Sequence, residues 1–246
     1  MKALIDAEYY LFRAAAGCEF EAEWAPDDWT YLCRHGDAKA QFQDSVGEVR
    51  EVLPDHQIVL VFGQRYSFRY GIWPQYKAKR KSLRRPAGYM ELQKWVWSGA
   101  VARGWEVQTL PDVEGDDVLG VLYEEGDVIV SIDKDMLTIP GLHLRDGEVR
   151  EVSRLEADRN FYGQVLTGDS TDGYPGCPGA GPVAAEKLLA GCTTEVQMWR
   201  AVMDAYEKKG LDQSYAITQA RCARILRAGE YDHVRCTPLL WWPPVA

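Results

Sequence analysis

"HQIVLVFG", residues 56–63, is an aliphatic, β-branched run of strand length with no polar interruption. A half-exposed strand would alternate apolar with polar residues. This one does not, so both of its faces must be covered, as in a parallel sheet held between helices. Working outward, "KALID" (2–6) and "DVIVSID" (127–133) are two more apolar runs, each ending in an acid, and "WEVQTLP" (105–111) is another strand. Helical patterns stand between them. "AEYYLFRAAAG" (7–17) ends in a Gly stop, and 26–53 reads as one long helix opened by Pro26, Asp27 and Asp28 and closed near Pro54. "GYMELQKWVWSGAVARG" (88–104) is amphipathic and stopped by Gly104, and "GDDVLGVLYEEG" (115–126) has acids in its first turn. Residues 134–152 give short strands with a turn at Asp146 and Gly147.

From about 154 the strand signal ends. Helical patterns take over, broken by the Gly- and Pro-rich stretch "GDSTDGYPGCPGAGPVAAEKLL" (168–189). The apolar tail "TPLLWWPPVA" (237–246) is expected to pack on the surface. The alternation of strands and helices predicts an α/β domain with a mostly parallel sheet over 1–153, followed by an all-α domain over 154–246.

With 246 residues the chain is long enough for this arrangement, and its 46% hydrophobic content is ordinary for a globular protein. No apolar run approaches the length of a membrane span, and an acid at position 6 does not suit a secretory signal. Six cysteines form no CxxC pair, which points to free thiols in a reducing cytosol. The net charge of −9 by itself argues against a polyanionic partner. Its distribution argues the other way: residues 65–85, "RYSFRYGIWPQYKAKRKSLRR", hold eight Lys or Arg, no Asp or Glu, and five aromatics.

Acids gather where such a sheet builds its sites, beyond the carboxyl ends of the strands. Asp6 ends the first strand. Glu114, Asp116 and Asp117 follow "WEVQTLP"; Asp133 and Asp135 lie at and beyond the end of "DVIVSID"; Asp169 and Asp172 lie in the Gly-rich turn. Two unit charges about 4–5 Å apart repel by roughly 3–4 kcal/mol at an effective dielectric near 20. Divalent cations relieve that repulsion, and an all-oxygen donor set suits Mg²⁺ or Mn²⁺. Each group also has a purely structural explanation. Asp116 and Asp117 favour a helix dipole, Asp133 suits an N-cap, and Asp169 and Asp172 suit a turn. All of these holding at once is the weaker account.

"LIDAEYY", "VEGDDVLG", "VSIDKD", "TGDSTDGYPGCPGAGPVAAEKLL" and "FRYGIWPQYKAKR" together resemble the 5′-nuclease (flap endonuclease) family. The likeness spans nearly the whole chain and is strongest to the 5′–3′ exonucleases that short-tailed bacteriophages use in DNA replication. It implies a PIN-like nuclease core and a helix–three-turn–helix domain behind it. It also implies two-metal hydrolysis, with two Mg²⁺ or Mn²⁺ ions, of phosphodiesters at DNA 5′ ends, flaps or nicks. Carried over by motif, Asp6, Glu114, Asp116, Asp117, Asp133, Asp135, Asp169 and Asp172 would surround the metals. Lys77 and Arg80 would touch the scissile phosphate, Tyr76 would stack on an unpaired base, and Arg69 and Lys79 would hold phosphate. Gly179 and Gly181 would let the backbone approach a duplex phosphate, with Lys187 adding charge, and a potassium ion is implied at the same turn. A monomer in the host bacterial cytoplasm is the default expectation, and RNA–DNA hybrid stays open as a further substrate.

One departure stands out. The family usually carries an Asp just after its second strand, where this chain has Gly63 and Gln64. The expected consequence is weaker metal affinity or a changed metal preference with activity retained; the alternative is a DNA-end- or junction-binding protein on a disabled nuclease. A PIN-type ribonuclease and a haloacid-dehalogenase-type phosphatase fit less well. The first lacks a reason for the Gly-rich duplex-binding turn, and the second needs an Asp-x-Asp where this chain has Asp6 and Glu8. The short stretch between 64 and 88 favours an open gateway over a threaded long flap.

Overall fold

The computed structural model describes residues 1–79 and 84–245. Strand β1 (Lys2–Asp6) leads into helix α1 (Ala7–Gly17), and Asp6 belongs to both: it ends the strand and its carboxylate accepts from the Tyr9 N–H as N-cap. A hairpin follows, β2 (Glu19–Ala25) with β3 (Asp28–Cys33), then α2 (His35–Val52) and β4 (Gln57–Val61). The hairpin corrects the expectation of one helix over 26–53. Asp27 takes a left-handed turn conformation with φ +63°, and the aromatic and β-branched residues Trp29, Thr30 and Tyr31 pair across to Glu23, Ala22 and Glu21.

The short α3 (Arg69–Ile72) opens the basic stretch, and α4 (Tyr89–Gly99) closes it. Gly104, in a left-handed conformation, turns the chain into β5 (Trp105–Gln108), followed by α5 (Gly115–Leu122) and β6 (Val128–Val130). β7 (Gly141–Arg145) and β8 (Glu148–Val152) form a hairpin across Asp146 and Gly147, where the sequence placed it.

The sheet runs β5-β4-β1-β6-β7-β8, parallel except for β8. The chain builds to one side of β1 and then crosses to the other at β6. The carboxyl ends of β1 and β6 therefore form the switch-point crevice where open α/β sheets place ligands. β4 is buried along Ile58–Val61, as its unbroken apolar run requires. Its two faces feed different cores, one under α1, α2 and α4 and one under α5.

Helices α6 (Arg154–Thr167), α7 (Pro182–Leu189), α8 (Glu195–Glu207) and α9 (Gln213–Ala223) form a third core. This part is not purely helical, because β9 (Tyr231–Asp232) pairs with β10 (Thr237–Pro238). Nor is it separate in space. Ile225, Leu226 and Tyr231 pack into the core beneath α5, and the Leu226 carbonyl occupies the place a side chain at Gly120 would need. In the tail, Trp241 is buried against Phe161, Tyr162 and Trp199, while Trp242 stays exposed. All six cysteines are free thiols, and no described helix is long and apolar enough to cross a membrane.

Candidate active site

Two adjoining cavities open at the switch point. The larger, about 470 Å³, is bounded by acids from four elements, among them Asp6, Glu8, Glu114, Asp116 and Asp133. The smaller, about 240 Å³, is lined by Asp116, Asp133, Asp135, Asp169 and Asp172. Lys77, Asp116 and Asp133 line both. Seven of the eight sequence-selected acids thus face one connected space.

Local chemistry explains each position. Ser131 donates from Oγ to Asp6 and receives the Asp133 N–H, tying the ends of β1 and β6 together. Asp133 caps the next turn by accepting from the Asp135 N–H at 2.9 Å, and Asp135 accepts from Gln164 on α6. Asp169 folds the Gly-rich turn by accepting the N–H groups of Thr171 and Asp172. That turn docks on the basic stretch, where Trp73 donates to the Gly173 carbonyl and the Lys77 N–H to the Asp172 carbonyl at 2.7 Å. Lys77 itself sits at φ +50°, an uncommon conformation for a non-glycine residue, held by this docking.

The electrostatics divide the acids into two kinds. Glu114 is neutralised. Burial would raise its pKa, but Arg69 and Lys77 outweigh it and hold the carboxyl below its ordinary value. Lys77 Nζ lies 2.5 Å from Glu114 Oε1. Asp6, Asp116 and Asp135 are raised. Burial is the main cause in each case; Asp6 is pushed to about 6 and Asp135 to about 6, and Asp116 is raised further by its neighbour Asp6. Like charges gathered without enough counter-charge are what a bound cation would relieve. The donor set is all oxygen, which fits Mg²⁺ or Mn²⁺. Among the described residues no three side chains of Asp, Glu, His or Cys close on one point as a finished cage. A cation that keeps much of its hydration shell does not need one.

Three expectations are corrected here. Asp117 does not face the cavities. It is fully buried, it accepts from Arg69 and the Leu226 N–H, and it closes a capping box with Glu114 at the start of α5. Arg69 is only 2% exposed and spends its guanidinium on Asp117, Glu114 and the carbonyls of Cys222 and Arg224, so it cannot reach a phosphate. Tyr76 is also 2% exposed; its hydroxyl lies 2.8 Å from Glu114 and 3.0 Å from Asp172, so its ring cannot stack on a base. In each case a family motif in an exposed-looking stretch turned inward because a buried charge needed a partner.

Lys79 is exposed beside the Gly-rich turn. Gly179, Gly181 and Lys187 lie on an exposed face at α7, with Gly181 as N-cap and Pro182 in the first turn. Arg80 lies outside the described residues. Sequence reasoning passed over Glu8, Arg84 and Arg85, all of which border the larger cavity. Arg84 and Arg85 lay inside the basic stretch already marked by its charge, and Glu8 stood two residues beyond Asp6.

The family described as 5′–3′ exonuclease, N-terminal resolvase-like domain, matches residues 2–158. The chain belongs to the 5′–3′ exonuclease family. It is therefore a nuclease, a hydrolase of phosphodiester bonds. Among its relatives, the exodeoxyribonuclease of Enterobacteria phage T3 is 29% identical, over 98% of this chain and 92% of its own. The exonuclease of Escherichia phage T7 is 28% identical, over 98% of this chain and 93% of its own. The T5 5′-exonuclease, solved with divalent metal ions (zinc), shares the fold of this 5′–3′ exonuclease with a TM-score of 0.58 at 13% identity, over 90% of this chain and 93% of that one.

Proposed function

We propose that this 5′–3′ exonuclease cleaves DNA at 5′ ends, nicks and flaps in phage DNA replication by a two-metal mechanism using Mg²⁺ or Mn²⁺. The observation that carries the reading is the pair of adjoining acid cavities that share Asp116 and Asp133, with the Lys77 ammonium at their common edge. Bound cations would supply Lewis acidity and a water nucleophile usable at neutral pH.

The chain's own residues do the rest. Asp6, Asp116, Asp133, Asp135, Asp169 and Asp172 bind the cations and place them. Lys77 meets the charge that develops on the scissile phosphate, and Glu114 holds its ammonium in position. Arg80 belongs to the same stretch and takes a supporting role on that phosphate. Lys79, Arg84 and Arg85 draw the backbone of the incoming strand toward the cavities. Gly179, Gly181 and the N-terminus of α7 take a phosphate of the flanking duplex, with Lys187 adding charge from the last turn of α7 and K⁺ at the Gly-rich turn. The short gateway favours ordinary 5′ ends over long threaded flaps. The enzyme works as a monomer in the host cytoplasm.

The test is cleavage of a 5′-labelled nicked or flapped duplex, and of the matching RNA–DNA hybrid, in Mg²⁺, Mn²⁺ or EDTA, beside Asp116→Ala. Metal-dependent release of label near the 5′ end, lost in the variant, is expected. Salt-sensitive binding without cleavage in either metal would recast the protein as a DNA-end binder.

A further inference from the structure

Strand β4 is followed by Gly63 and Gln64 rather than by an acid, and the structure shows what stands there instead. The Gln64 amide donates to Thr109 Oγ1 at 3.2 Å and its backbone N–H to the Val113 carbonyl at 3.1 Å, which ties it to the β5 side. A side chain at Gly63 is excluded. Its Cβ would stand 2.5 Å from the Gly115 nitrogen and 3.1 Å from Glu8 Oε2. The space beside β4 is thus already taken, and what takes it is a carboxylate from α1. Glu8 accepts from the Gly63 N–H at 3.3 Å, and it borders the larger cavity together with Asp6, Glu114 and Asp116.

The geometry points to Glu8 as the cation-holding carboxylate that replaces the missing strand-end Asp. This rests on the reading that the larger cavity takes a divalent cation. The exchange accounts for two facts together. Position 63 must be glycine, because Glu8 and the α5 N-terminus fill its side-chain space, and position 64 has no need to be acidic, because the negative charge arrives from α1. The Gly63 N–H holds Glu8 at the wall of the cavity through one carboxylate oxygen.

The competing account makes Glu8 a hydrogen-bond anchor for the 63–64 loop and nothing more. Glu8→Gln separates the two, because a Gln carbonyl oxygen can accept the same Gly63 hydrogen bond without the charge. Mn²⁺ binding to the full chain would be measured by electron paramagnetic resonance titration, with thermal melting in EDTA as the folding check. Glu8→Gln is expected to melt with the wild type and to bind Mn²⁺ at least about tenfold more weakly. Adding Gln64→Asp to it should recover part of that loss, and the surface control Glu125→Gln should change nothing. Wild-type Mn²⁺ affinity and stoichiometry in a folded Glu8→Gln would overturn the inference and leave the nuclease reading standing. Should Glu8→Gln not fold, Glu8→Asp keeps the charge at shorter reach: a partial loss of affinity supports the inference, and none overturns it. A wild-type protein that neither binds Mn²⁺ nor cleaves would remove both readings at once.

Discussion

Arg69 grips Asp117 with both terminal guanidinium nitrogens, at 2.6 and 2.7 Å, where neither side chain is more than 3% exposed. The pair joins the basic stretch to the N-terminus of α5. The remaining guanidinium contacts reach Glu114 and the carbonyls of Cys222 and Arg224, so Arg69 locks three chain-distant segments behind the cavities. Asp116, one residue earlier, faces the opposite way into both cavities.

Neighbouring acids should therefore fail differently. Asp117→Asn removes the bidentate partner of a buried guanidinium, leaving it the longer contact to Glu114, and should cost about 3–5 kcal/mol of stability. Asp116→Asn should fold at least as stably as the wild type in EDTA, since it removes one of several crowded acids, yet lose metal-dependent cleavage. Urea denaturation of both variants, beside a cleavage assay, checks the pair. An Asp117→Asn protein of full stability would contradict the structural role given to that carboxylate.

Tyr76→Phe removes the hydroxyl between Glu114 and Asp172 and leaves the ring. A loss of about 1–3 kcal/mol in stability is expected. Affinity for single-stranded 5′ overhangs, measured in EDTA by fluorescence anisotropy, should not fall in Tyr76→Phe. It should also not fall in Tyr76→Leu once folding is confirmed, because the ring is buried. A selective loss of overhang binding in the folded Leu variant would restore the stacking role.

Lys77→Ala removes the ammonium at the edge of both cavities. Cleavage at saturating substrate should drop by about 10²–10³, the usual effect of losing one preorganised group that meets transition-state charge. Single-turnover rates on a nicked duplex measure it. Duplex affinity should change little, because the duplex contacts proposed for this chain lie at α7 rather than at Lys77.

Asp6 sets a pH dependence whose sign can be worked out. Its carboxyl is raised by burial from 3.8 to about 6, so between those values the folded state holds a proton the unfolded chain has released. Its contribution to stability therefore falls as pH rises through that window and levels off above about 6. Asp6→Asn removes this term, so the stability of the wild type relative to the variant should decline from pH 4 to pH 7 in EDTA, by on the order of 3 kcal/mol. Mn²⁺ should restore much of the wild-type loss at pH 7. Urea midpoints at several pH values test it, and a flat difference would show that Asp6 is not strained.

The strands and the place of the crevice were legible in the linear pattern alone. An unbroken apolar run such as 57–61 can only be a strand covered on both faces, and an acid that directly ends such a run must emerge at the carboxyl end of the sheet, as Asp6 does. It missed the hairpin over 19–33, where turn chemistry at Pro26 and Asp27 outweighed a helical reading of the same residues.

Which charges face the cavities was settled by packing between distant segments. Asp116 and Asp117 are adjacent in one motif, and Arg69 and Lys77 sit in one basic stretch; nothing local separates them. What separates them is burial, which forces a charge to find a partner: Asp117 and Arg69 found each other and left the cavities, while Asp116 and Lys77 stayed at the edge. The crowding at Gly63 that gives Glu8 its place is of the same kind, set by the approach of α1 and α5 to β4 across more than fifty residues of chain.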